Sequence, residues 1–118
     1  CMCLGGGMQL TAGLQDYQNR NLFGATAFTA FGFFWIIFGT VSWLSYLHLV
    51  APADAATIGW YHTLWAVFVL ALVGTSFAIN KFLTATVIFV DAGLVLIAVG
   101  AFGSIDGATK LGAASLVI

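Results

Sequence analysis

From Asn21 to about Leu49 the chain carries no charged side chain and is mostly apolar, opening with Asn-Leu-Phe-Gly-Ala-Thr-Ala-Phe-Thr-Ala-Phe-Gly-Phe-Phe-Trp. A helix rises about 1.5 Å per residue, so about 20 such residues already cross the hydrocarbon core of a bilayer. The stretch reads as a transmembrane helix. Wound at about 100° per residue, it sets Gly24, Phe28, Phe31, Trp35, Gly39 and Ser42 on one side. Thr26, Thr29, Phe33 and Thr40 fall on the other. Gly24, Gly32 and Gly39 beside large aromatics invite the close approach of another helix, while threonines hydrogen-bond to their own helix or across to a neighbour. Both faces look suited to protein contact or to a narrow path, with little left for lipid.

Composition points the same way. Of the 118 residues, 62% are hydrophobic and 6% charged, against roughly 25% charged in a soluble domain. Mean hydropathy is +1.08. A soluble chain this short cannot bury so much apolar surface. The net charge of −1 excludes an electrostatic nucleic-acid binder. No Gly-rich phosphate loop, His/Cys metal spacing or Ser/His/Asp set is visible, so neither an enzyme nor a cofactor- or metal-dependent protein is expected. The expected fold is an all-α, polytopic membrane bundle forming one transmembrane domain over 1–118. Its helices fall near 1–17, 23–49, 57–79, 82–102 and 108–118, about five membrane segments with the first and last truncated.

The first apolar stretch begins without a methionine or a basic flank, which reads as a truncated helix rather than a signal peptide. Cys1 and Cys3 point about 200° apart on a helix, cannot pair, and read as small apolar filler. Asp16 and Arg20 stand at i and i+4, suited to a helix end. Asn21 is placed to cap the next helix. Pro52 stops that helix and Asp54 can cap the one after it. Trp43, Tyr46 and His48 before this loop, and Trp60 and Tyr61 after it, mark one membrane face. His62 lies just inside that belt and reads as a hydrogen-bonded interfacial histidine. Asn80 and Lys81 make a tight turn, and Asp106 caps the last segment. Alternating loops put Arg20 and Lys81 on one face and Asp54, Asp106 and Lys110 on the other, a weak signal for Arg20 and Lys81 in the cytoplasm.

Asp91 sits near the middle of the fourth helix. An ionised Asp there costs roughly 2.5–3.5 kcal/mol even on the lenient insertion scale, so it must face the interior, find a partner or stay protonated. It is expected to line a polar seam or the path and to carry a proton with the solute. The alternative is a carboxyl hydrogen-bonded to a neighbouring helix.

Residues 21–35 resemble the signature Asn-Thr-Phe-Gly-x-Thr-Ala-Phe-x-Ser-Tyr/Phe-Gly-x-Phe-Trp of the acetate uptake transporter family, which includes bacterial succinate–acetate permeases and fungal ammonia/acetate exporters. Gly13-Leu14-Gln15-Asp16-Tyr17 resembles that family's Gly-Leu-x-Glu-Tyr/Phe segment. Leu64-Trp65, Gly74-Thr75, Phe89 and Ala98-Val99-Gly100 follow in its order and near its spacing. The resemblance implies a six-helix protomer in a hexameric homo-oligomer of the plasma membrane, with one solute path per protomer. The family's first helix, carrying Asn-Pro-x-Pro-x-Gly-Leu, has no counterpart in these residues, so the sequence is expected to be a fragment.

The function so implied is passage of acetate or another small monocarboxylate, with succinate a further candidate, linked to protons. A path for such a solute needs a few polar groups and an apolar waist. Thr26, Thr29, Ser42 and Asn21 supply the polar groups by this reading. Phe31 aligns with the family's constriction aromatic, often a tyrosine, and Asp16 with its acidic residue near the pore mouth. At Asp91 the family usually carries an uncharged residue. The partners expected are the carboxylate solute, membrane lipid and further copies of the chain. The alternatives are a channel for small neutral solutes such as ammonia or water, and a non-conducting membrane scaffold.

Overall fold

The structure, a computed structural model, describes residues 2–104 and 106–117. Cys1 lies outside them and the side chain of Cys3 is undescribed, so the reading of the two cysteines as filler falls outside the described residues. The described chain is helical and forms two compact units, one ending at Pro52 and the other beginning at Ala53.

In the first unit a π-helical turn, Met2–Gly7, runs into α1, Met8–Gln18, which packs against α2, Leu22–Tyr46. The junction at Gly7 keeps helical angles (φ −65°, ψ −45°). Gly5 and Gly6 bring this segment close to α2: a Cβ at Gly5 would lie 3.3 Å from the Trp35 ring and one at Gly6 3.1 Å from the Gly32 carbonyl oxygen. Two helix ends are built alike. Arg20 (φ 60°) donates to the Tyr17 carbonyl and Asn21 to that of Asp16. His48 (φ 56°) donates to Ser45 and Leu49 to Leu44. Both are Schellman motifs with a non-glycine residue in the left-handed position. The second explains why α2 stops at Tyr46 rather than running to residue 49. The first carries Arg20 out of helical register, so among the described residues the expected i, i+4 pair with Asp16 does not form.

The second unit holds α3, Ala55–Ser76, α4, Lys81–Gly103, and α5, Asp106–Val117. The Asp54 carboxylate accepts from the Thr57 N–H at 2.8 Å, and Asn80 from Phe82 at 2.8 Å, so each long helix begins on a side-chain cap. The helices pack in chain order, α3 on α4 and α4 on α5. Val69 and Leu94 are fully buried at the first contact, with Ala66, Leu72, Val87 and Ala98 around them. At the second, a Cβ on Gly112 would come within 2.6 Å of the Gly93 carbonyl oxygen. Only glycine admits such an approach.

Among the described residues three helices, α2, α3 and α4, are long and apolar enough to cross a membrane, with mean hydropathy 1.8, 1.6 and 2.4. No more than a third of the most apolar window of any of them is buried. Phe33, Leu64, Val67, Leu70 and Phe82 lie among the large exposed side chains. In water such a surface would aggregate. In a bilayer it faces lipid or another helix.

Candidate functional site

The sequence-derived residues of α2 are divided by its packing on α1. Gly24 and Gly32 are buried in this seam. A Cβ at Gly32 would stand 2.8 Å from Leu10 and 3.0 Å from the Gly6 carbonyl oxygen. One at Gly24 would collide with the Asp16 carboxylate. Gly13, across the seam, faces the hydroxyl and backbone N–H of Thr29. Thr29 therefore borders the glycine face rather than standing opposite it. Gly39 is half-buried.

Asp16, Asn21 and Gly24 form the corner between α1 and α2. The Asn21 backbone N–H closes α1, while its side-chain oxygen accepts from Gly24 at 3.3 Å and opens α2. Asp16 is half-buried with its carboxylate against Gly24, over the N-terminal turn whose N–H groups favour negative charge. Thr26 and Ser42 are exposed, and the Ser42 hydroxyl donates to the Phe38 carbonyl at 2.8 Å. Phe31 is half-buried, its ring edge-on to Phe34 at 6.4 Å. The residues named from sequence thus fall into an α1–α2 seam, an exposed rim and an aromatic cluster, and do not gather into one pocket.

The aromatic cluster centres on Phe34, which is 2% exposed and lies 5.1 Å from the Trp35 ring and 6.3 Å from that of Phe38. Sequence reasoning passed over Phe34 because an all-apolar helix gives no periodic contrast between core and lipid faces.

In the second unit Asp91 is half-buried, eleventh of the 23 residues of α4. It opens on a groove of about 340 Å³ between α3 and α4. Thr63, Ala66, Val67 and Leu70 line it from α3, with Val95, Ala98, Val99 and Phe102 from α4. The Oδ1 atom of Asp91 is shielded from solvent and has no hydrogen-bond partner among the described residues. His62 is 3% exposed, and its Nδ1 lies 2.8 Å from the Ile58 carbonyl oxygen one turn back. Ser76 donates to Thr84 at 3.1 Å across the α3–α4 contact. The signal for that pair was a hydroxyl residue on each side of the Asn80 turn.

Long apolar helices joined by glycine contacts, with capped ends, define a multi-pass α-helical membrane protein. Its family follows from comparison with known proteins. The chain belongs to the GPR1/FUN34/yaaH family, whose model matches residues 1–118. The succinate-acetate/proton symporter SatP of Escherichia coli K12 is 41% identical over 66 residues, 56% of this chain and 35% of that protein. Ammonia transport outward protein 2 of Saccharomyces cerevisiae is 34% identical over 76 residues, 60% of this chain and 27% of the yeast protein. Among solved structures, the bacterial acetate channel SatP superposes with a TM-score of 0.83 at 27% identity, over 95% of this chain and 66% of that one. The chain thus spans about a third of the curated relatives it matches and about two thirds of the solved one.

Proposed function

We propose that the chain forms part of a plasma-membrane transporter or channel for acetate and other small monocarboxylates, with succinate a further substrate. The observation that carries this reading is the superposition of 95% of the chain on an acetate channel, together with the family match. Phe31 is the apolar waist, Thr26, Thr29, Asn21 and Ser42 offer polar groups beside it, and Asp16 stands at the mouth. Asp91 carries a proton alongside the solute, and the protein works as a homo-oligomer, a hexamer by family resemblance. The packing supports a distinction among these residues. Asn21 and Asp16 hold the helix corner, so their contribution to a path is through its shape as much as through contact. The test is uptake of labelled acetate by vesicles containing the full-length protein, with and without an imposed pH gradient. Gradient-dependent uptake above that of empty vesicles is the expected result.

The similarity to a yeast ammonia transport outward protein favours a second reading, passage of ammonia. Flux of a neutral base would not rise with inward proton gradient, so the same vesicles separate the two.

A further inference from the structure

Gln9, the second residue of α1, is half-buried, and its Oε1 is shielded from solvent with no hydrogen-bond partner among the described residues. It is not one of the residues assigned to the path. Its place against α2 follows from the packing of the seam. Towards the N-terminus, Asp16 meets Gly24, Gly13 meets Thr29 and Gly6 meets Gly32, so this segment and α2 run antiparallel. Seven residues back from Asp16 is Gln9, and seven forward from Gly24 is Phe31. Seven residues make nearly two turns and rise about 10 Å. Both steps therefore return to the same side of their helix at the same depth. Four residues further along each chain segment stand Gly5 and Trp35, which approach each other again. Gln9 thus lies at the level of Phe31, between two observed contacts.

Phe31 is tenth of the 25 residues of α2, so this level is inside the span. A carbonyl oxygen without a donor is costly there, because hydrocarbon offers none. Methionine would fill a similar volume with no strong acceptor to satisfy. The Thr29 hydroxyl borders Gly13, on the other edge of the seam. On the Gln9 edge stands the Phe31 ring, half-buried and edge-on to Phe34. An aromatic ring can shield an amide but gives it no hydroxyl.

We propose that Gln9 is a gating residue of the path: the Phe31 ring closes over its amide, and passage of solute turns the ring aside and opens Oε1 to water. The proposal rests on the reading of Phe31 as the waist and adds to it a residue of α1. Oε1 lacks a donor while the waist is shut and gains one when it opens, so the amide weights the equilibrium towards the open form. Gln9 raises flux at the expense of the stability of the closed protein.

The test combines thermal unfolding of the full-length protein in detergent with uptake of labelled acetate by vesicles. Gln9→Met keeps length and volume and removes the amide. It should raise the melting temperature by about 3 °C and slow uptake about tenfold. Phe31→Tyr adds a hydroxyl that donates to Oε1 while the waist is shut, and should move both readouts in the same direction. On a Gln9→Met background the same tyrosine should add nothing. A packing role alone predicts the opposite sign, a Gln9→Met protein less stable than the parent. That result, or uptake as fast as the parent's, overturns the proposal. A tyrosine effect equal in the two backgrounds overturns it as well. Parent vesicles that take up acetate no faster than empty ones remove the transport reading instead, and the melting temperatures alone then decide whether Phe31 covers Gln9.

Discussion

Ser76 and Thr84 hydrogen-bond to each other at 3.1 Å, 0% and 5% exposed, in the contact between α3 and α4. The Thr84 hydroxyl donates to the Asn80 carbonyl at 3.0 Å, and the single proton of Ser76 is shared between Thr84 and the Val73 carbonyl at 2.8 Å. The pair satisfies polar groups that would otherwise be buried in hydrocarbon, and it sits where the turn at Asn80 sets the register of the two helices. Such bonds between membrane helices average about 0.6 kcal/mol in double-mutant cycles. A cycle of Ser76→Ala and Thr84→Val, read by denaturant unfolding in detergent, should give a coupling of that size. Additive effects would mean that each hydroxyl serves only its own helix.

At Gly24 the prediction is one of coupling by volume. A methyl group there collides with the Asp16 carboxylate, and overpacking of this kind costs about 1–3 kcal/mol. Gly24→Ala should destabilise the protein, and Asp16→Ala on the same chain should recover most of the loss. If the double variant is no better than Gly24→Ala alone, Asp16 is not what fills the space.

The helix ends offer a gain. His48 holds φ 56°, a conformation that costs an L-residue about 1–2 kcal/mol relative to right-handed backbone. His48→Gly should raise unfolding free energy by about 1 kcal/mol while leaving the Leu49–Leu44 bond in place. Unchanged or lowered stability would show that the imidazole contributes more than the backbone loses.

Asp54 gives a pH dependence. Hydrogen bonds from the Thr57 side chain and N–H hold its exposed carboxyl below the usual 3.8. A carboxyl lowered by folding contributes stability that is fully present above the unfolded value and lost as pH falls through the folded one. The thermal stability of the parent in detergent, relative to Asp54→Asn, should therefore fall as pH goes from 5 to about 2. The variant keeps an uncharged cap throughout, so curves that run parallel over that range would remove Asp54 from the acid response.

How much of this was readable beforehand differs between elements. Long apolar runs with few charges point to α2, α3 and α4, and residue type at a helix start points to the caps at Asn21 and Asp54, whereas Asn80, read as part of a turn, caps α4. What contacts what was less legible. The wheel of α2 has apolar side chains all round, so it set Thr29 apart from the glycines although both border α1. Burial of Phe34, and the groove beside Asp91, depend on which neighbour covers each face. A sequence of uniform hydropathy does not encode that choice.

Phe31 and Phe34 are neighbouring aromatics of α2 that differ in burial. Phe34 is 2% exposed and Phe31 half-buried, with ring centroids 6.4 Å apart and planes at 77°. Truncating a buried phenylalanine costs about 3–5 kcal/mol in a soluble core, so Phe34→Ala should lower the yield of folded protein and its melting temperature. Phe31→Ala should do less to stability, because part of its ring is exposed. If Phe31 forms the apolar waist, its loss widens the path, and uptake of propionate and butyrate should rise relative to acetate in vesicles. The two variants are best read together: equal destabilisation with unchanged solute preference in Phe31→Ala would make both residues packing aromatics and move the waist elsewhere on α2.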